Sequence, residues 1–480
     1  MVAIGILARS RSRNNEEYFV AGRSVHWGPV GLSIMVTAFS SLNFMAYGGE
    51  VIGNGLYVLA ALPAFLIVAL PITRVFMPFL LERRVTSAYE YLEERFDNRV
   101  RRFAALTFLL WRVAWIGLTL FAASSMLSLL TGVRVEVLLV ITGIAAATYT
   151  AIGGMRAVVW TDVAQFVVLV GGLAVCMVVT GQRATDGLMG VLRSAYEGGR
   201  LAPFAPFDPT FVSVDPRMRI TIWSGLIGTV VAFLARYGAD QMVLQRYFAV
   251  RSLRHARIGF WLNIGAALTA LLLLTLFGLV AFAHAVDSGT LGQPGMTPPQ
   301  LLVNLITSMP GGFAGLLGAA ILAAAMSSVD SGVHSCATVF LKDLSSVDRN
   351  PTSPNGKQSL WVRPQVVSAL FGIAAVAGGL LFVSVFGREA SLFAITNKVI
   401  NGLGSPLLSV FLFAMFTTTV TATAVLTGGA AGVASAILLP ALSIDMALHY
   451  YAVVNLLVSI VVSLAVNAVT KENRLQSHRR

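Results

Sequence analysis

Twelve times between residues 27 and 470 the chain enters an apolar run of about the length a bilayer demands, and this repetition narrows the fold more than any motif. The runs fall at roughly 27–46, 55–80, 103–131, 135–153, 157–180, 218–238, 258–285, 311–341, 364–387, 390–416, 420–440 and 447–470. A hydrocarbon core takes a helix of about 20 residues. Inside it each backbone group needs a partner from its own segment. Charged residues make up 12% of the chain, about half of what a soluble domain carries. The sequence therefore predicts an all-α polytopic membrane protein.

Charge orients the spans. The net charge of +12 comes from 34 Lys and Arg on a chain that is 56% hydrophobic, which points to topology and anionic lipid, not to nucleic acid. Alternate loops carry 23 and 6 basic residues. The basic set includes Arg83 to Arg102, the group Arg246, Arg251, Arg254 and Arg257, and the C-terminal tail. The positive-inside rule places that set, and the C-terminus, in the cytoplasm. Cys176 and Cys336 lie within apolar runs, so no disulfide framework is expected. Residues 2–8 are apolar but too short to span, and read as the end of a leading helix whose beginning is missing.

Two of the runs are unusual. Ala319–Asp343 places Ser327, Ser328, Asp330, Ser331, His334 and Ser335 in the middle of a span. On a helix Ala324, Ser327, Asp330 and Ser331 share one face over about two turns. Such oxygens in hydrocarbon face a partner, a cavity or an ion. Without a His or Cys cluster they suit a hard cation. The other reading is that the hydroxyls bond back to their own helix or join two helices. Ser33–Gly49 likewise packs Thr37, Ser40, Ser41 and Asn43 into an apolar span. A break over Val36–Ser40, with Ser41 opening a new segment, would turn carbonyls toward an ion.

Other intramembrane charges need a role. Arg236 and Asp240, spaced i, i+4, are expected to form an ion pair at an inner gate. Lys398, beside Asn397 and Asn401, is expected to snorkel or to pair with an acid on another helix. The chain contains no phosphate loop and no His pair with metal spacing, and an enzyme is not indicated.

Four motifs carry a resemblance. TSAYEYLEERFDNRVRR (86–102), GGMRAVVWTDVAQ (153–165), ADQMVLQRYFAVRS (239–252) and AAAMSSVDSGVHS (323–335) follow in order along the chain. Together they resemble the sodium/solute symporter family, and the first is similar to the branch holding sialic-acid, iodide and monocarboxylate carriers. The resemblance implies a LeuT-type fold: inverted five-helix repeats at about 27–180 and 218–416, plus two trailing helices and a truncated leading helix. The chain then divides into a leading helix and linker (1–24), a ten-helix core (25–416) and two trailing helices with a tail (417–480).

The resemblance also implies a sodium site where the broken first span meets the eighth. On this sequence its ligands are the carbonyls of Val36, Phe39 and Ala324 with the hydroxyls of Ser327 and Ser328. A second sodium site, present in some members, maps to Asp162, Ser327, Asp330 and Ser331, and Asp330 stands where those members have serine. Asp162, in the sequence WTD, also reads as an N-terminal helix cap. The solute pocket implied by the family lies at the midplane, with Ser40, Ser41, Asn43, Trp115 and Tyr237 as candidates and Tyr47 near its outer side. Trp115 occupies the place of the arginine that clamps carboxylate in the sialic-acid carriers, and Arg112 lies one turn away. Trp111, Trp115 and Phe121 also read as packing or lipid-facing aromatics.

The function implied is a secondary active transporter that imports a small organic solute, such as a sugar or organic acid, with sodium across the cell membrane. A proton-coupled carrier, with Asp162 and Asp330 titrating, is the alternative of the same fold. A membrane sensor is the alternative of another class. Such sensors carry soluble signalling domains, and ten residues (471–480) follow the last span.

Overall fold

Apolar runs become helices in the structure, a computed structural model describing residues 15–183, 186–345, 363–386 and 392–477. The helices are α1 (Asn15–Val20), α2 (Trp27–Ala38), α3 (Ser41–Asn54), α4 (Pro63–Pro71), α5 (Met77–Glu82), α6 (Glu90–Arg95) and α7 (Asn98–Thr131). They continue with α8 (Val135–Arg183), α9 (Gly187–Glu197), α10 (Ile222–Gly238), α11 (Gln241–Phe248), α12 (Leu253–Asp287) and α13 (Pro298–Ser308). The last are α14 (Phe313–Val339), α15 (Pro364–Phe386), α16 (Leu392–Ile395), α17 (Asn401–Phe416), α18 (Ala422–Ala441) and α19 (Tyr450–Ser477). Short 3-10 and π segments join several of them, and the described residues form no strand beyond isolated bridges. The expected leading helix lies outside the described residues.

Among the described residues nine continuous helical stretches are long and apolar enough to cross a bilayer, or ten if the bent pair α10–α11 counts as one span. The sequence predicts twelve runs, and the difference has physical causes. α8 passes through two of them because only Gly154, at φ 63°, interrupts it. The 3-10 turn Gly55–Ala61 joins the end of the first run to the second, making one stretch from Ser41 to Leu81. The first run is itself cut in two, which leaves α2 with 12 residues, too short to count alone.

α14 packs along α8 and against α7, α15 and α2, and α2 lies along α12. Small residues let these backbones touch. A Cβ on Gly31 of α2 would lie 2.4 Å from the carbonyl oxygen of Gly259 on α12. In a membrane, where lipid is as apolar as leucine, such close approach supplies much of the helix association. The linker before α2 is tied to the same core. Tyr18 is buried against Gly154, and its hydroxyl donates to the Ala151 carbonyl at 3.5 Å. A Cβ at Gly154 would meet the Tyr18 ring at 3.0 Å, so both the left-handed φ and the lack of a side chain are used there. α18 and α19 pair with each other and pack on α17.

Candidate ion and solute site

The first span breaks at two residues. Phe39 (φ −105°, ψ 98°) and Ser40 (φ −101°, ψ 174°) are extended, and Ser41 opens α3. The expected unwinding over Val36–Ser40 is thus narrower, because the Phe39 amide still bonds the Met35 carbonyl at 2.9 Å. The Ser40 hydroxyl caps α3 by accepting from the Leu42 amide. A helix end leaves its last carbonyls without intrahelical donors, so the tail of α2 presents acceptors in the middle of the bundle.

Serines of α14 meet those carbonyls. Ser327 Oγ donates toward Val36 O at 3.1 Å and toward Ala324 O on its own helix at 3.0 Å. Ser328 Oγ donates to Thr37 O at 3.3 Å. Val36, Ala324 and Ser327 therefore converge, and Ser328 lies one carbonyl further along α2. Phe39 caps α2 and borders a neighbouring cavity. All five are buried. The oxygens are neutral, and among the described residues no three His, Cys, Asp or Glu side chains gather as a metal group. Such a set suits a monovalent cation that must also leave.

A charged cluster lies beside it. Asp162 sits two turns into the second limb of α8, and its Oδ2 accepts from Ser33 at 2.5 Å, from Arg246 at 3.0 Å and from Thr37 at 3.4 Å. Gln165, with its amide nitrogen turned to Asp162, donates to Oδ1 at 3.3 Å. Asp162 is therefore not a helix cap, since its limb begins at Gly154. Asp330 Oδ2 accepts from Tyr149 at 3.0 Å and Thr161 at 3.4 Å, and its Oδ1 from Ser331 at 3.2 Å. Ser331 also contacts Thr37 and Arg246. Asp162, Asp330 and Ser331 are thus brought together, as the resemblance implies.

Arg246 is the surprise of the cluster. The charge count places it in a cytoplasmic loop, yet it is 1% exposed and also donates to Ser33 and to the Met242 carbonyl, both at 2.6 Å. The cause is the 50° bend between α10 and α11, which folds α11 back into the bundle. Removing one charge leaves the loop bias unchanged in direction. The available signal was Gln241 and Gln245, four apart with apolar residues between. Both are buried, and Gln245 donates to Phe19 O at 2.6 Å.

A cavity of about 120 Å³ opens beside the break, between α2, α3, α10, α12 and the π segment Thr396–Ile400. Asn43, Tyr47 and Tyr237 line it, together with Arg236, Asn397 and Asn401. Ser40, Ser41 and Trp115 do not. Ser40 is spent on the cap, and Ser41 donates to the Thr119 carbonyl on α7 at 2.9 Å. Trp115 is buried beneath the Arg236 guanidinium, which lies 5.3 Å from its ring, and Trp111 and Phe121 are buried rather than lipid-facing.

The expected Arg236–Asp240 pair does not form. Asp240 caps α11 and pairs instead with Arg112 at 2.8 Å, because i, i+4 spacing does not hold across the bend. Arg112 is accordingly engaged, and it does not replace the missing carboxylate clamp. Lys398 stands 5.5 Å over the Tyr451 ring, not in the cavity.

Residues 18–432, most of the chain, match the model of the sodium:solute symporter family. The chain belongs to that family. Human sodium-coupled monocarboxylate transporter 2 is 29% identical to this chain over 398 residues, 80% of the chain. The chain spans 63% of that transporter's length, under two thirds. The sodium/sialic acid symporter SiaT of Proteus mirabilis (strain HI4320) is 26% identical over 421 residues, covering 87% of this chain and 82% of SiaT. A substrate-bound, outward-open structure of a Na+-coupled sialic acid symporter superposes with a TM-score of 0.82 at 23% identity, covering 98% of this chain and 95% of that one. The family member described here is an integral membrane protein with the LeuT-type fold.

Proposed function

We propose that this protein is a sodium-coupled symporter that imports a small organic solute by alternating access. The observation that carries the reading is Ser327 bridging the Val36 carbonyl at the helix break to Ala324 on α14. A coupling ion works only if it binds one conformation better than another. Ligands split between α2 and α14 meet that condition, since a shift of either helix dismantles the set. Val36, Phe39, Ala324, Ser327 and Ser328 hold the sodium. Asp162, Asp330 and Ser331 form the adjoining cluster, in which the Arg246 guanidinium already neutralises Asp162. That pairing favours one sodium per cycle. The core spans 25–416 as two inverted repeats, with 417–480 trailing, and the C-terminus lies in the cytoplasm.

The second reading, proton coupling, has one observation in its favour. Among the described residues no Lys or Arg nitrogen lies within 4.0 Å of Asp330. One experiment separates the two. Reconstituted protein is offered sugars, carboxylates and amino acids under an inward sodium gradient, an equal potassium gradient, or a proton gradient alone. Accumulation of a solute only with sodium is expected. Accumulation driven by protons alone would move the coupling to Asp330.

A further inference from the structure

Arg236, half-buried, differs from Arg112, Arg246 and Arg101, which are also buried or half-buried in this bundle. Arg112 has Asp240 at 2.8 Å, Arg246 has Asp162 at 3.0 Å, and Arg101 has both Asp343 and Glu93. Arg236 has no carboxylate oxygen within 4.0 Å among the described residues. Its hydrogen bond, to Asn401 Oδ1, is at the 3.5 Å limit. For the rest it lies over the faces of Trp115 and Phe233, at 5.3 and 5.5 Å. A guanidinium at membrane depth without an anion is costly, and such groups usually face a partner or a substrate path. Arg236 faces the cavity.

We propose that Arg236 is the anion-binding residue of the solute cavity and that the solute is a small organic monocarboxylate. The proposal rests on the symporter reading and names the class of its solute. The planar fork of Arg236 matches a carboxylate with two parallel hydrogen bonds. Asn397 and Asn401, at one end of the cavity, supply further polar contacts, and Met35, Leu42 and Phe65 supply an apolar wall for the body of the solute. One cation suits a monoanion, and an inorganic anion would leave the apolar wall unfilled. The volume of about 120 Å³ is below the roughly 150 Å³ of a cavity that takes benzene, so the body of the solute is compact. The clamp thus stands on α10, over Trp115, instead of on α7.

The test uses the full-length protein in detergent with sodium or potassium, and four probes: propionate and benzoate, each against its neutral amide, with iodide as a competitor. In sodium the wild type is expected to bind at least one acid ten-fold or more tightly than its amide. Arg236→Gln should abolish that preference, and Arg236→Lys should keep part of it. Sodium-induced thermal stabilisation, read without probe, reports whether each variant is folded. Equal affinity for acid and amide in the wild type, or no binding of either acid, overturns the proposal without any mutant. So does an unchanged acid preference in a folded Arg236→Gln, or iodide bound where both acids are not. Acid binding that needs Arg236 but is equal in sodium and potassium would instead sink the sodium coupling and leave the anion site standing.

Discussion

The Asp162–Arg246 pair allows a strong test of how the charged cluster is held. Arg246 Nη2 lies 3.0 Å from Asp162 Oδ2, and both side chains are buried. At an effective dielectric constant near 20 their attraction is about 5.5 kcal/mol. Desolvating the two ions cancels most of it, so the intact pair is worth little compared with apolar residues of the same shape. Breaking it is another matter. Asp162→Asn leaves a buried guanidinium with only neutral acceptors, from Ser33, Ser331 and Met242. Arg246→Met leaves Asp162 beside Asp330 with no guanidinium between them. Each single change should cost about 3–5 kcal/mol. The double variant should lose much less than the sum, with a coupling of about 2–3 kcal/mol, as for residues in one network. The assay is the folded fraction that survives a heat step, read by size exclusion for the wild type, both single variants and the double. Stable single variants, or a double variant as damaged as the sum, would refute the pairing.

Three more outcomes follow from the site. Ser328→Ala removes one hydroxyl ligand and should weaken sodium binding by about 1–2 kcal/mol, raising the sodium concentration for half-maximal uptake about ten-fold while uptake at saturating sodium survives; an unchanged sodium response in folded protein would remove Ser328 from the site. Asp330→Ser takes the acid from beside Tyr149 without touching the Ser327 contacts; it should leave half-maximal sodium within about three-fold but change the pH dependence of uptake, and identical pH profiles would exclude proton coupling through Asp330. A tag after Arg480 and a cysteine placed between 186 and 197 should be labelled from opposite faces of sealed cells, and labelling of both from one side would overturn the topology.

The sequence alone determined the class and the family and pointed to one half of the candidate site. Hydrocarbon permits few solutions, so runs of about 20 apolar residues read directly as helices. The serines of α14 announced themselves because hydroxyls are costly at that depth, and the break near Ser40 followed from Ser33–Gly49 by the same reasoning. Both signals are local in the chain. What tertiary structure decided is which charges meet. Asp240 pairs with Arg112 instead of Arg236 because a bend at residues 239–240 cancels helical spacing. Arg246 reads as a loop charge until α11 folds inward and places it on Asp162, 84 residues away in the chain. Ser41 and Trp115 leave the cavity wall for packing roles, while Arg236 enters it. Spacing records which face of its own helix a residue occupies, whereas a buried ion pair depends on how two helices are rotated against each other. That rotation is set by close contacts such as Gly31 against Gly259, and no local pattern in the chain encodes it.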